Sequence, residues 1–260
     1  MGAGSIVNIR RRRFQSALFE CLENAALWLM PGYCFFCLSP AAPGEPWCHP
    51  CFQALPFHLH GCPRCAEPLP ERVGSGTLCG RCLKSPPAFE ETIAPFLYQG
   101  QIAHLLQRFK YHHDRRAAGV LLRLYIRMLT AEMTARAQRS AVMPEALVIA
   151  SLHASRARER GFDQSFWLGN ALAGRFGLPL VEATRTRRPG TQHRLGRFDR
   201  RLNVQGSYRL NTPLPTCVLL LDDVMTTGAT LDALAHACRA AGATRCITTA
   251  AARTPVERPI

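Results

Sequence analysis

Two adjacent carboxylates followed by small hydroxyl residues are the part of this sequence best suited to chemistry. Asp222 and Asp223 follow the apolar run Val218–Leu221. A segment that we call the hydroxyl loop comes next, and it consists of Thr226, Thr227, Gly228, Ala229 and Thr230. A helix is predicted to begin at its end, and backbone amides at a helix N-terminus bind anions, especially where glycine permits close approach. The hydroxyl loop therefore predicts a phosphate site.

The acid pair requires a different partner. Ionised carboxylates only accept hydrogen bonds, so beside a phosphate they must serve sugar hydroxyls or a divalent cation. The pair and the loop together match a ribose 5-phosphate, with the acids on the 2′- and 3′-hydroxyls. The Walker pattern GxxxxGK[ST] does not occur in the sequence. The structural alternative is a strand end followed by acids that stabilise a helix dipole.

Cysteine spacing predicts two zinc sites. Eight of the twelve cysteines form four CxxC pairs, and two such pairs complete one tetrahedral zinc site. Pairing in sequence order is preferred because each half then forms its own short ribbon, although a cross-braced pairing also fits the spacing. The preferred sets are Cys34, Cys37, Cys48 and Cys51, followed by Cys62, Cys65, Cys79 and Cys82. With every ligand position filled, both ions are expected to be structural.

Disulfides and a redox CxxC are the alternatives for the cysteines. Disulfides require an oxidising compartment, and a redox CxxC usually occurs once, beside a βαβ unit. Nothing else in the sequence indicates export, because Glu20 and Glu23 interrupt the N-terminal apolar segment.

We expect an N-terminal amphipathic helix over residues 1–30, a double zinc ribbon over 31–88, and a larger domain over 89–260.

The larger domain has the pattern of an α/β fold. Helical periodicity runs from Ile102 to about Ala137, interrupted by a turn at His112–Asp114. Another helix is predicted over Phe162–Phe176, and one more over Thr230–Ala241. Short apolar runs predict strands, which are Leu147–Ser151, Leu180–Ala183, Val218–Leu221 and Cys246–Ala251. Buried strands alternating with helices predict a parallel sheet with helices on both faces.

The net charge and the hydropathy of the chain limit the classes of partner that it can bind. The formal net charge is +14, and it comes almost wholly from arginine. Seven arginines fall within residues 185–201 and three more are Arg156, Arg158 and Arg160. Such clusters attract phosphates or nucleic acid, although a solvated basic surface is the simpler alternative. The absence of an apolar run of about 18–20 residues predicts no membrane insertion.

The acid pair and loop resemble the phosphoribosyl-pyrophosphate (PRPP) loop of type I phosphoribosyltransferases. Over nearly its full length the chain resembles the ComF family of competence-associated proteins. The resemblance rests on the four CxxC pairs, on the segment 155–165 (Ser-Arg-Ala-Arg-Glu-Arg-Gly-Phe-Asp-Gln-Ser), and on Thr191-Gln192, Arg200-Arg201 and Asn203-Val204. Asp163 departs from the family pattern, in which asparagine is more frequent.

The resemblance implies roles for individual residues. It implies a type I phosphoribosyltransferase-like sheet after a small four-cysteine double zinc-ribbon module. Asp222 and Asp223 would hold the ribose hydroxyls and indirectly support Mg²⁺ on PRPP, while the hydroxyl loop binds the 5′-phosphate. The pyrophosphate would lie near Arg156, Arg158 and Arg160. His153 is a candidate acid or phosphate contact, and the alternative for it is a hydrogen-bonding residue without a direct role. For Lys110 the sequence is compatible with two positions, one that reaches this site and one that faces solvent.

Three functions remain compatible with the sequence. The first is a PRPP-binding protein that supports DNA uptake or DNA utilisation, with single-stranded DNA and competence-machinery proteins as partners. The second is a metabolic phosphoribosyltransferase acting on an unidentified base. The third is a regulator that senses PRPP or a nucleotide without turnover. A cytoplasmic location is expected for all three.

Overall fold

The computed structural model describes residues 32–112, 114–150, 164–185 and 207–255. The N-terminal helix predicted over residues 1–30 lies outside this part of the chain. Internal contacts divide the protein into two compact units, Met1–Leu55 and Pro56–Ile260. The first four-cysteine set belongs to the first unit, and the second set belongs to the same unit as the sheet.

The two ribbons repeat one local structure. In the first ribbon (residues 32–53), the Cys34 carbonyl accepts from the Leu38 amide at 2.9 Å, and Leu38 has a φ of 61°. In the second ribbon (residues 61–84), the Cys62 carbonyl accepts from the Ala66 amide at 2.8 Å, and Ala66 has a φ of 50°. In each ribbon the second CxxC pair begins a short helix, α1 (His49–Gln53) or α2 (Gly80–Lys84). The repeat is visible in sequence as CxxCxxP, which occurs at both places.

A mostly parallel sheet forms the centre of the second unit. Its strands are β1 (Glu91–Ile93), β2 (Phe96–Leu97), β3 (Ala146–Ala150), β4 (Leu180–Arg185), β5 (Tyr208–Arg209), β6 (Cys217–Met225) and β7 (Arg245–Arg253). The strand order is β1-β7-β6-β3-β4-β5, and β2 also pairs with β7. All pairs are parallel except β4 with β5, an antiparallel edge that the apolar pattern did not reveal.

Four longer helices accompany the sheet in the described residues. They are α3 (Gly100–His112), α4 (Arg115–Gln138), α5 (Gln164–Phe176) and α6 (Ala229–Ala240). The turn predicted between α3 and α4 is confirmed, because the Asp114 side chain caps α4 by accepting from the amides of Arg116 and Ala117. In the described part of the chain, no helix combines the length and the apolarity required to cross a membrane.

Helices cover both faces of the sheet, as the sequence predicts. Val148 and Leu220 share a hydrophobic cluster with Leu234 of α6. The neighbouring Ile149 points to the opposite face, since side chains alternate along a strand. There it meets α5 so closely that a Cβ added at Gly169 would lie 2.8 Å from the Ile149 side chain. Burial on both faces explains why β3 and the first half of β6 are uninterrupted apolar runs.

Candidate functional site

The acid pair lies in the last part of β6. The strand continues to Met225, so Asp222 and Asp223 lie within it rather than directly after it. Asp222 pairs in register with Ala250 of β7, and the Asp223 amide donates to Asp222 Oδ1 at 2.9 Å. Pairing with β7 therefore fixes the backbone of both acids at the carboxyl end of a buried strand. Ligands of open parallel sheets bind at this edge.

Lys110 reaches the acid pair from the end of α3. Its Nζ lies 2.7 Å from Asp223 Oδ2, and both side chains are largely shielded from solvent. The Lys110 carbonyl accepts from Gln164 Nε2 at 3.0 Å, and Gln164 is 4% exposed at the start of α5. The sequence left open whether Lys110 reaches the acid pair or faces solvent, and the structure shows that it contacts Asp223. The structure also shows that Gln164 holds the end of α3 beside α5.

The two carboxyl groups are in unlike environments. Burial raises the pKa of Asp222 to about 7, and the adjacent charge of Asp223 adds to the rise while Lys110 opposes it. Two neighbouring carboxylates without an external partner are costly, because burial and mutual repulsion both disfavour the second charge. The pair is therefore suited to a ligand that supplies hydrogen-bond donors or positive charge.

The hydroxyl loop leads directly into α6. Gly228 is the N-cap of this helix with a φ of 78°, a conformation that glycine adopts without strain. A Cβ added there would lie 2.6 Å from the Met225 side chain. The Ala229 amide donates to Thr227 Oγ1 at 3.3 Å, while the amides of the first helical turn have no partner within the helix. Hydroxyls, amides and the positive end of the helix dipole therefore meet at one place, which is the chemistry of an anion site.

Each four-cysteine set has the geometry of a zinc site. Within each set the Sγ atoms all lie within 4.8 Å of one another. Cys37 and Cys48 approach to 3.6 Å in the first set, as do Cys65 and Cys79 in the second. Tetrahedral zinc with Zn–S bonds of about 2.3 Å separates sulfurs by about 3.8 Å, so both sets fit this ion. The grouping follows sequence order, which was the preferred pairing.

In each set the pKa is lowered for some thiols and raised for others. A hydrogen bond from Ser39 lowers the pKa of Cys37 to about 6. A hydrogen bond from Cys82 lowers the pKa of Cys65 to about 4. Zinc binds thiolates and releases thiol protons, so zinc binding to both sets is expected to depend on pH. These sites would hold structural zinc.

Several predicted site residues lie outside the described part of the chain. They are His153, Arg156, Arg158 and Arg160, together with the arginines of residues 187–201. Arg185, the first arginine of that stretch, is described, and its guanidinium lies 5.8 Å from the ring centre of Tyr208. The assignments of the pyrophosphate contacts therefore stay predictions.

Two arginines near the hydroxyl loop were not found from the sequence. Arg81, which lies inside the last CxxC pair, donates from Nη1 to the Thr227 carbonyl at 2.9 Å. Arg253, at the end of β7, donates from Nη1 to the Met225 carbonyl at 3.1 Å. No local pattern marks these residues, because the contact of Arg81 spans 146 residues and that of Arg253 spans 28.

Comparison with known proteins gives the family. The family model of the double zinc ribbon domain matches residues 25–83. Two solved structures are similar over about half of this chain: orotate phosphoribosyltransferase from Aeropyrum pernix (TM-score 0.32, 19% identity, 53% of this chain and 59% of that chain) and an adenine phosphoribosyltransferase (TM-score 0.34, 16% identity, 52% and 72%). The assignment to a family rests on sequence relatives.

Those relatives cover most of the chain. The DNA utilization protein YhgH of Salmonella typhi is 31% identical over 213 residues, which is 80% of this chain and 90% of the relative. YhgH of Escherichia coli K12 is 31% identical over 212 residues, with the same coverage. Competence protein F of Haemophilus influenzae is 30% identical over 171 residues, or 63% of this chain and 73% of the relative. With this coverage and the paired zinc ribbons, the chain belongs to the ComF family, which includes the DNA utilization protein YhgH and competence protein F.

Proposed function

We propose that this protein binds Mg²⁺·PRPP at the acid pair and the hydroxyl loop, and that it supports DNA utilisation or uptake in bacteria. The observation that carries the proposal is the cluster of Asp222, Asp223 and Lys110 directly ahead of a helix capped by Gly228. Carboxylates, a cation and a helix N-terminus in this order complement a ribose that carries a phosphate.

Each part of the cluster has a task in this proposal. The ribose hydroxyls donate hydrogen bonds to Asp222 and Asp223, and Lys110 offsets the remaining negative charge. The 5′-phosphate accepts hydrogen bonds from the amides and hydroxyls of the hydroxyl loop. Mg²⁺ would neutralise charge on the pyrophosphate oxygens, supported by the acid pair. We assign the remaining pyrophosphate contacts to His153, Arg156 and Arg158, as the family resemblance implies.

The pKa of Asp222 gives this proposal a pH signature. Ribose hydroxyls are donors and therefore bind best to the ionised carboxylate. Because the pKa of Asp222 in the free protein is about 7, PRPP affinity is expected to fall as the pH drops from 8 to 6. An affinity that is constant over this range would contradict the assignment of Asp222 to the ribose.

Calorimetric titration of Mg²⁺·PRPP into the zinc-loaded protein tests the site. The variant Asp222→Asn/Asp223→Asn keeps the size of both side chains and removes both charges, so it should lose saturable binding. Glu132→Gln is a matched control, because Glu132 pairs with Arg139 on the partly exposed surface of α4. Absence of binding to the unmodified protein would contradict the proposal, as would equal binding to the double variant.

A turnover assay distinguishes a transferase from a non-catalytic sensor of PRPP. A transferase would displace pyrophosphate from the anomeric carbon of the ribose, with positioning and charge stabilisation as the main contributions. Pyrophosphate release with one member of a nucleobase panel would establish a transferase acting on that base. Binding without release from any base, together with a ligand-dependent change in DNA affinity, would favour the non-catalytic regulator.

The role in DNA utilisation is supported by the names of the relatives and by the charge of +14. Binding of single-stranded DNA should weaken steeply with salt, because phosphate contacts release counterions. Replacing Arg194, Arg197 and Arg200 by alanine should lower both the affinity and its salt dependence. DNA binding that is independent of salt, or unchanged in this variant, would remove DNA as a direct partner. We place this role in the cytoplasm, where reducing conditions preserve zinc thiolates.

A further inference from the structure

Arg81 connects the second four-cysteine set to the hydroxyl loop. It lies between Cys79 and Cys82 on α2, so its backbone is fixed by two of the four ligand residues. Its Nη1 donates to the Thr227 carbonyl at 2.9 Å, and the side chain is partly buried. A cysteine set that holds zinc therefore also holds one of the peptide groups of the loop.

Arg253 makes a second connection between the same two places. Its side chain is fully buried. On the ribbon side, Nε donates to the Cys65 carbonyl at 3.1 Å and Nη2 contacts the Glu67 carboxylate. On the loop side, Nη1 donates to the carbonyls of Met225 and Thr226. The charge of the buried Arg253 is balanced by Glu67, whose side chain is partly exposed.

Apolar packing joins the same elements. The cysteines of the second set belong to one hydrophobic cluster with Phe89, Met225 and Leu231 of α6. Phe89 also approaches the hydroxyl loop, since a Cβ added at Gly228 would lie 3.7 Å from its ring. Movement of the second ribbon would therefore disturb the packing beneath the loop as well as its hydrogen bonds.

These contacts determine where the amides of the loop point. In a planar trans peptide the carbonyl and the following N–H point in opposite directions. Arginines hold the carbonyls of Met225, Thr226 and Thr227 on the ribbon side. The N–H groups of Thr226, Thr227 and Gly228 are consequently directed away from the ribbon. Successive amides held in this way form a site for an anion that needs little reorganisation on binding.

We propose that Arg81 and Arg253 are positioning residues through which the second zinc site presets the amides of the hydroxyl loop for phosphate. Zinc in this site should then raise the affinity of the loop for an anionic ligand, and the ligand should raise the affinity of the site for zinc, because coupling between two binding sites is reciprocal. The inference rests on the phosphate role of the loop given under the proposed function. It assigns the second ribbon a part in ligand binding.

Amide hydrogen exchange tests the positioning without any ligand. In the zinc-loaded Arg81→Ala variant, exchange of the Ala229 and Asp232 amides, which donate to Thr227 Oγ1 and to the Gly228 carbonyl, should rise by about tenfold. Arg72→Ala is the control, because Arg72 is exposed in the same ribbon and the substitution removes the same charge. Arg81→Lys should restore part of the protection, since lysine can also donate to the Thr227 carbonyl. Equal exchange in Arg81→Ala and the unmodified protein would overturn the inference.

Linkage between zinc and PRPP provides the second measurement. Loss of the Arg81 contact should weaken Mg²⁺·PRPP binding by about tenfold in calorimetry, the effect of one charge-assisted hydrogen bond. In the unmodified protein, saturating Mg²⁺·PRPP should tighten one of the two bound zinc ions against a competing chelator and leave the other unchanged. Zinc affinity that does not respond to bound PRPP would overturn the coupling. If the unmodified protein does not bind PRPP, the proposed function fails, while the exchange experiment still decides whether Arg81 positions the loop.

Discussion

Replacing Asp222 by asparagine should stabilise the free protein and at the same time abolish its affinity for PRPP. Asparagine retains an oxygen that can accept from the Asp223 amide, the contact that Asp222 Oδ1 makes at 2.9 Å. The substitution removes only the charge, which burial and Asp223 disfavour. A residue that destabilises the free fold but is complementary to the ligand is characteristic of a binding site.

The magnitude follows from the pKa of this group. A carboxyl pKa that rises from 3.8 to about 7 on folding stabilises the fold while the group is protonated. This contribution is present below about pH 4 and is lost as the pH rises through about 7. Between pH 5.5 and pH 8 the free energy of unfolding of the unmodified protein should fall by about 2 kcal/mol through this group. The variant, which has no carboxyl group at this position, should not show this fall. For a domain of this size that difference corresponds to about 4–8 °C in Tm.

Thermal unfolding of both zinc-loaded proteins at pH 5.5 and pH 8 measures this difference. The Tm advantage of Asp222→Asn should be larger at pH 8, and Glu132→Gln should show no comparable pH dependence. The reasoning would be refuted by an Asp222→Asn variant that is less stable than the unmodified protein at pH 8. A Tm difference that is the same at both pH values would refute it as well.

Three further predictions concern the same unit. Gly228→Ala should lower the free energy of unfolding by about 1–2 kcal/mol and weaken PRPP binding, because a φ of 78° is strained for alanine. The control is Gly174→Ala, which lies on the exposed side of α5 with open space around it and should be neutral or stabilising in the same denaturant unfolding experiment. Lys110→Gln should lower the Tm more at pH 8 than at pH 5.5, since it removes the cation beside Asp223 when both acids are ionised, and an equal loss at both pH values would contradict this. Metal analysis should find two zinc ions per chain, and replacing Cys65 by serine should leave one ion and loosen the hydroxyl loop, whereas retention of both ions would contradict the assigned ligand set.

The local structure around the site was largely predictable from sequence. Metal-ligand spacing, helical periodicity and apolar runs are short-range patterns, so they identified the cysteine sets, α3, α4, α6 and the buried strands. The boundaries were less accurate at β6, which includes Asp222 and continues to Met225. Its last residues keep their strand conformation because β7 pairs with them as far as Arg253, a long-range effect that an apolar run does not record.

The sequence by itself determined which groups are available: two sets of four thiols, an acid pair after an apolar run, and a group of hydroxyl residues ahead of a helix. The tertiary structure decided which distant residues complete the site. Lys110 reaches Asp223 only because α3 packs where Gln164 of α5 can bind its last turn. Arg81 and Arg253 meet at the loop because β7 lies between β6 and β1 while the second ribbon packs at the same end. Such contacts depend on strand order and side-chain packing, to which residues separated by more than a hundred positions contribute, so no local pattern encodes them.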